Sequence, residues 1–289
     1  MHSISVIKPT NKAVFGRLNR LADPPRKLFI RGAYDPSIPA VAIVGSRKHS
    51  AYGKQAAEML ASGLARAGVV VISGLAIGID SVAHAAALEA GGRTIAVMPG
   101  GVDRVYPASH RQLAEKMVAG SGALVGEYPP ATLPAKHHFV ARNRIVAALS
   151  DAVLVIEAAA RSGTLITAEY ALDIGVPVMA VPGPITSPTS KGTNGLIGMG
   201  AKLVANVEDV LDELGISWEQ AAYAYNAKNK LGQDIISCLS AGPMSAQELA
   251  MRTNSELPEL NRELTHLELD SAIVNIGNNT WSLKPGLPS

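Results

Sequence analysis

Cysteine is nearly absent: Cys238 stands alone in 289 residues, which excludes an intramolecular disulfide and any thiolate-based metal site. Aromatic residues make up 4% of the chain, too few for an aromatic-rich β-sandwich. The abundance of Ala, Val, Ile and Gly suits a parallel sheet covered by helices instead. No apolar run reaches membrane-spanning length before Gly or a charge interrupts it, and no charged-then-apolar leader is visible. A soluble, cytoplasmic protein with no membrane partner is expected. Nor is there a large excess of either charge, since the formal net charge is +2, too small to argue for a polyanion by itself. Catalytic signatures are also lacking. There is no closely spaced His/Asp/Glu set, no G-x-S-x-G and no P-loop lysine, and Gly45 begins no G-x-G-x-x-G. No catalytic residue, metal or cofactor is expected, and His49, His84 and His110 are too scattered to read as other than structural or surface residues. Glu157 and Glu169 keep one alternative open, a nucleotide-hydrolysing enzyme.

What the chain does have is a 47% apolar content against 17% charge, enough to fill one large domain and a small one. Strand-like runs recur at Val41 to Val44, Val69 to Ser73, Thr94 to Met98, Ala123 to Glu127, Ala152 to Glu157, Val178 to Val181 and Lys202 to Val204. Between most of them lie stretches with apolar residues at helical spacing, such as Lys54 to Ala67, Ser81 to Glu89, Ser109 to Ala119 and Thr164 to Leu172. That alternation predicts an α/β fold, a Rossmann-like doubly wound, mostly parallel sheet over residues 41–215. In such sheets ligands bind beyond the carboxyl ends of the strands. Residues 1–40, with Asp23-Pro24-Pro25 and Asp35-Pro36, read as an extension wrapping the sheet, with Leu28 to Arg31 a candidate extra strand. Residues 216–229 read as a linker. Residues 230–289 then predict helices over Asp234 to Leu239, Ser245 to Arg252 and Pro258 to Asp270, and a hairpin turning at Gly277-Asn278-Asn279. Three helices and a hairpin suggest a winged helix. From Lys230 onward four basic residues face seven acidic ones, which leaves 22 basic and 17 acidic groups before it; any polyanion site belongs to the large domain.

The most informative stretch is Val41 to Arg47, V-A-I-V-G-S-R. A buried strand that stops at Gly45-Ser46-Arg47 brings backbone amides and one positive fork to a single place, an arrangement suited to phosphate, although strand-glycine-helix junctions also occur as plain turns. A second cluster, Phe139-Val140-Ala141-Arg142-Asn143-Arg144, precedes the helix-like run Ile145 to Leu149. It would place two cationic forks near a helix start, where unpaired amides also attract anions; the bland reading is a solvated basic turn. Third, Ser162-Gly163-Thr164 links a strand end to a helix and offers early amides, with Thr164 equally able to serve as a cap. Fourth, the loop after Pro182-Gly183 carries Lys191-Gly192-Thr193-Asn194 and suits a sugar-phosphate backbone, or is a plain surface loop.

Gly45-Ser46-Arg47 with Tyr52-Gly53, Ser73-Gly74-x-Ala76-x-Gly78-Ile79-Asp80, Asp103-x-x-Tyr106-Pro107, Phe139-x-x-Arg142-Asn143-Arg144, Ser162-Gly163-Thr164-Leu165-Ile166-Thr167-Ala168 and Val181-Pro182-Gly183 together resemble the DprA/Smf DNA-processing family. The resemblance covers Leu21 to about Val204, with the tail similar to that family's winged helix. It implies a homodimeric mediator, not an enzyme, that binds single-stranded DNA and helps load RecA recombinase in natural transformation. By that resemblance Arg47, Arg142, Arg144 and Lys191 would hold phosphates, while Gly45, Ser46, Asn143, Ser162, Gly163, Thr164 and Asn194 supply close backbone or polar contacts. Phe139 and Tyr106 are the candidates for base stacking.

The chain departs from the family pattern at Ile77, where some relatives carry a cation, at Gly198, where many do, and at Pro99 and Gly126. Fewer phosphate contacts imply weaker and less salt-dependent binding. The N-terminal helical domain frequent in the family is not expected here, since roughly 40 residues precede the sheet. The third tail helix sets Glu256, Glu259, Glu263, Glu268 and Asp270 against Arg262, so it is expected to contact protein rather than duplex DNA. The competing enzyme reading is a nucleotide N-glycosidase resembling the LOG phosphoribohydrolases. Their P-G-G-x-G-T-x-x-E pattern is broken here, because Pro99-Gly100-Gly101 runs on into Val102-Asp103.

Overall fold

A computed structural model of the chain describes residues 3–216, 229–239, 242–269 and 272–283. The chain divides into two compact units, with the boundary in sequence between Leu214 and Gly215.

The larger unit is built on a nine-stranded sheet. In chain order its elements are β1 (Ile4–Ile7), α1 (Lys12–Leu18), β2 (Leu28–Gly32), β3 (Ala40–Val44), α2 (Ala51–Arg66), β4 (Val70–Ser73), α3 (Ile79–Glu89), β5 (Thr94–Met98), α4 (Arg111–Ala119), β6 (Ala123–Gly126), α5 (Lys136–Leu149), β7 (Ala152–Val155), α6 (Gly163–Asp173), β8 (Val178–Ala180), α7 (Lys191–Gly198), β9 (Lys202–Leu203) and α8 (Val207–Glu213). The strand order is β1-β2-β6-β5-β4-β3-β7-β8-β9. From β3 the chain winds one way through β4, β5 and β6, then crosses back to lay β7, β8 and β9 on the other side. All these pairings are parallel. Among the described strands of this sheet, only the β1–β2 and β2–β6 pairings are antiparallel, so β2 runs against the others. The sheet is the expected doubly wound one. The winding reverses between β3 and β7, so the crevice that such a sheet offers a ligand opens beyond the ends of those two strands.

Sequence chemistry explains the layers. Strands β3 to β8 are buried along their whole length and are rich in Val, Ile, Leu and Ala, as a parallel sheet covered on both faces demands. Helix α2 buries Ala56, Ala57, Leu60, Ala61, Leu64 and Ala65 on one stripe. Small alanines let that helix lie close to the strands. His84 of α3 is buried, and its Nδ1–H donates to Thr94 Oγ1 at 2.6 Å. The Thr94 hydroxyl in turn donates to Val71 O, which identifies the histidine tautomer. Burial holds the His84 pKa down at about 3, so the ring is neutral and structural. Residues 1–40 do more than wrap the sheet. They supply the β1–β2 edge and α1, whose Val14, Phe15 and Leu18 enter the main core. Arg17 fastens that helix to Leu149 O at 2.9 Å and to Asp151 at 3.0 Å.

The smaller unit contains α9 (Lys230–Leu239), β10 (Met244–Ser245), α10 (Ala246–Thr253), α11 (Leu257–Leu269), β11 (Ile273–Gly277) and β12 (Thr280–Leu283). The strands form a sheet of order β10-β12-β11. Its own core gathers Ile235, Ile236, Leu249, Leu260, Leu264, Leu267, Ile273 and Trp281. Ser245 caps α10: its hydroxyl accepts from Glu248 N, and the Glu248 carboxylate accepts from Ser245 N. The hairpin turns at Asn278 and Asn279, both left-handed with φ of 50° and 55°, the geometry a two-residue primed turn requires. Residues 217–228 of the expected linker, and Asp270 at the expected helix end, lie outside the described residues.

Candidate nucleic-acid interface

The cleft at the winding reversal starts from two close approaches. Gly45 follows β3, and a Cβ on it would stand 2.6 Å from Ile79 Cγ1, so only glycine lets α3 dock here. Gly78, at φ 98°, precedes that helix, and Ile79 N donates to Ser46 O at 3.1 Å. The Gly45-Ser46-Arg47 turn is thereby locked against the start of α3. Ser46 Oγ accepts from Lys48 N at 3.1 Å, which turns Arg47 and Lys48 outward, and both are exposed. The Arg47 guanidinium lies 5.7 Å from the centre of the Phe139 ring. Phe139 meets Tyr106 edge-on at 5.5 Å. Cation and aromatics stand in a row.

Opposite them, α6 begins. Ser162 Oγ accepts from Thr164 N at 3.2 Å as the helix cap, and Thr164 Oγ1 donates to Gly45 O at 3.0 Å, fastening this helix end to the β3 turn. Asn143 Nδ2 donates to Gly163 O at 3.4 Å. The cleft has a volume of about 580 Å³ and brings together Gly45, Ser46, Arg47, Phe139, Arg142, Asn143, Ser162, Gly163 and Thr164. Lys48 and Arg161 line it too. Neither was singled out from the sequence, although each is the immediate neighbour of a motif that was. With Arg47 they are three exposed cations beside the N-terminus of an eleven-residue helix, a combination that attracts anions.

Four nominated residues stand elsewhere. Helix α5 begins at Lys136, not at Ile145, so Arg142 and Arg144 lie inside the helix and not at its start. Both are buried. Arg144, 9% exposed, gives its Nη2 to both oxygens of Glu127, at 2.8 and 2.7 Å, and does not line the cleft. Arg142 lines it but faces inward, its Nη1 donating to Gly74 O and Val97 O. Asn194 uses its amide on Gly183, donating to the carbonyl at 2.9 Å and accepting from the N–H at 3.1 Å. Lys191 is exposed at the start of α7, outside the cleft lining, and Tyr106 reaches the cleft only through Phe139. The strand ends at Gly100-Gly101, Glu127 and Gly183 do not line it either.

Glu157, the acid that a hydrolase reading would use, is 2% exposed. It accepts from Ser50 N at 2.9 Å, Ser50 Oγ at 2.6 Å and Thr189 Oγ1 at 3.0 Å. Its oxygens hold the start of α2 and the loop before α7 together. Glu169 is exposed and is absent from the cleft lining. A depression of about 760 Å³ in the smaller unit is lined by Asp234, Glu259 and Glu263 against Lys230 and Arg262, a balance that does not favour phosphate.

A sequence profile described as DNA recombination-mediator protein A matches residues 6–215. The chain belongs to this family. It is 39% identical over 257 residues to Protein Smf of Escherichia coli, across 86% of this chain and 69% of that one. To DNA processing protein DprA of Bacillus subtilis it is 44% identical over 201 residues, 68% of this chain and 67% of that one. The solved DprA of Streptococcus pneumoniae superposes with a TM-score of 0.69 at 42% identity, covering 73% of this chain and 74% of its own. DNA processing protein A of Helicobacter pylori, whose structure is described for its single-stranded DNA binding mode, superposes at 0.65 with 33% identity, over 74% of this chain and 96% of its own. The mediator profile contains every residue of the cleft and ends where the larger unit does. Among the described residues no helix is long and apolar enough to cross a membrane.

Proposed function

We propose that this member of the mediator family binds single-stranded DNA in the cleft at the β3–β7 winding reversal and delivers it to a RecA-type recombinase, acting as a homodimer on DNA taken up in natural transformation. One observation carries the reading: Arg47, Lys48 and Arg161 line one cleft together with the first turn of α6 and with Phe139. Cations and helix amides meet the phosphates, and the aromatic ring meets a base, without any readout of sequence. The family supplies the preference for single strands, supported by the Helicobacter pylori relative whose single-strand binding is described. We assign strand binding to residues 1–215. To residues 230–289, read as a winged helix, we assign contact with protein, because α11 carries Glu259, Glu263 and Glu268 against Arg262 and would repel a duplex.

The test is fluorescence anisotropy of labelled single-stranded and duplex oligonucleotides with the full chain over a salt series. The single strand is expected to bind more tightly, and Arg47→Ala is expected to weaken it while lowering the log-log salt slope by about 0.7, the value of one phosphate contact. Equal binding of both forms, or an unchanged Arg47→Ala variant, would refute the assignment of this cleft.

A further inference from the structure

The loop between β4 and α3 makes one wall of the cleft, and two buried charged residues grip it from opposite sides. Arg142 is 5% exposed. From the middle of α5 its Nη1 donates to Gly74 O and Val97 O, each at 2.5 Å, and its Nε donates to Asn143 Oδ1 at 3.2 Å. Those two carbonyls lie at the carboxyl ends of β4 and β5. Asp80, 7% exposed in the first turn of α3, accepts at Oδ2 from Gly74 N at 3.1 Å and Ala76 N at 3.3 Å. One short loop thus has a carbonyl held by a guanidinium and its amides held by a carboxylate. Between them Leu75 adopts a left-handed φ of 54°, a conformation leucine keeps only when its surroundings impose it. His110 Nδ1–H adds a third grip on Leu75 O at 3.0 Å. A Cβ on Gly74 would stand 2.5 Å from the Arg142 guanidinium, so loop and side chain are fitted to each other.

These bonds commit two of the three guanidinium nitrogens of Arg142 to the protein. Its Nη1 and Nε are already directed at protein acceptors, whereas Arg47, Lys48 and Arg161 are exposed around the same cleft. Burial lowers Arg142 to about 10, with Asp80 opposing and Arg47 adding to the shift, which still leaves the guanidinium charged at neutral pH. We propose that Arg142 and Asp80 are positioning residues for strand binding. They set the Gly74–Ala76 loop as a fixed wall and leave the phosphate charge to Arg47, Lys48 and Arg161. This inference rests on reading the cleft as a single-strand site.

Charge and position predict opposite signs. If charge alone mattered, removing the Asp80 carboxylate beside an anion site would tighten binding; if Asp80 holds the wall, removing it weakens binding. The experiment uses the full chain and a labelled single-stranded oligothymidylate over a salt series, with Arg47→Gln, Arg142→Gln, Arg142→Lys and Asp80→Asn beside the parent. Amide hydrogen exchange at residues 74–76 is followed without DNA. Arg142→Gln is expected to bind about tenfold more weakly at every salt concentration with the parent's slope, because it loses charged hydrogen bonds inside the protein and no phosphate contact. Arg142→Lys, which keeps the charge and loses the planar fork, is expected to follow Arg142→Gln and not the parent. Asp80→Asn is expected to bind more weakly despite one negative charge fewer, and both sites should expose the Gly74 and Ala76 amides to faster exchange. A slope reduced by Arg142→Gln as much as by Arg47→Gln, restored affinity in Arg142→Lys, tighter binding by Asp80→Asn, or unchanged exchange at residues 74–76 would each overturn the proposal. If the parent binds no oligothymidylate, the strand-binding reading falls, and the exchange rates alone decide whether the pair holds the loop.

Discussion

Gly163 has no reason within the fold to be glycine. Its φ is not positive, and nothing lies within 4 Å of the position a Cβ would take. At the first position of α6, alanine would favour the helix by up to about 1 kcal/mol. Yet this open space lies in the cleft, where a strand backbone would pass closest to the helix amides. Gly163→Ala is therefore expected to leave the melting temperature unchanged or raise it, and to weaken single-strand binding about tenfold by keeping the phosphate off the amides. Parent-like affinity measured by anisotropy would remove α6 from the binding surface. Gly45 differs, since its Cβ would strike Ile79 and its substitution would report on folding. Sequence alone does not separate the two glycines, because both lie between a strand and a helix beside a hydroxyl residue; only the neighbour across the turn does. The arginines behave likewise. Arg47, Arg142 and Arg144 carry the same charge, but one faces solvent, one grips backbone carbonyls and one pairs with Glu127. Which way a guanidinium points depends on partners 17 residues away for Arg144 and 68 for Arg142.

Among the elements, the buried strands were the most legible. Their β-branched runs lie within a residue or two of the observed ends, as at Thr94–Met98 and Ala123–Gly126, because a covered parallel sheet needs unbroken apolar runs and leaves few alternatives. Helix α5 starts earlier than its apolar pattern predicts. Its first turns, Lys136-His137-His138 onward, are polar and partly exposed, so apolar periodicity shows only from Ile145, where the helix dives into the core. Strand β1 and helix α1 were hidden for a similar reason: β1 is a half-exposed edge, and α1 has seven residues, too few for a periodic signal. Helix α2 shows how an end is held. Its start is stabilised by Glu157, whose carboxylate accepts from the Ser50 amide and hydroxyl, while the Ser50 hydroxyl accepts from Gly53 N. Glu157→Gln would leave two of these donors facing a group half of which is itself a donor. A loss of about 1–3 kcal/mol is expected in denaturant unfolding, with little change in single-strand affinity. If the variant kept its stability and released free base from nucleoside monophosphates more slowly than the parent, the hydrolase reading would regain its ground.

At the scale of the whole molecule, the uneven distribution of charge agrees with the division into units. The cleft lined by Arg47, Lys48 and Arg161 belongs to the larger unit, and a depression of the smaller unit is lined by Asp234, Glu259 and Glu263 against Lys230 and Arg262. Composition along the chain made this asymmetry visible, because net charge needs no knowledge of contacts. The convergence of Arg47, Phe139 and Ser162 on one cleft was accessible only through the rule that ligands sit where the winding of a doubly wound sheet reverses. Each unit has its own buried core, one spanning α1 to α7 and one confined to residues 235–281, so each has the means to fold alone. The family profile ends at residue 215, and the strand-binding residues all precede it. A chain cut after residue 215 is expected to bind a labelled single strand within about twofold of the full chain and with the same salt slope, since no phosphate contact is removed. Residues 229–289 alone are expected to bind neither single strand nor duplex at physiological salt, because the exposed Glu259 and Glu268 of α11 would repel a phosphate at short range and screening over about 8 Å does not hide them. Duplex binding by that fragment would reassign the acidic helix from protein contact to DNA. A large loss of affinity or a shallower salt slope in the shortened chain would place part of the strand's path on the smaller unit.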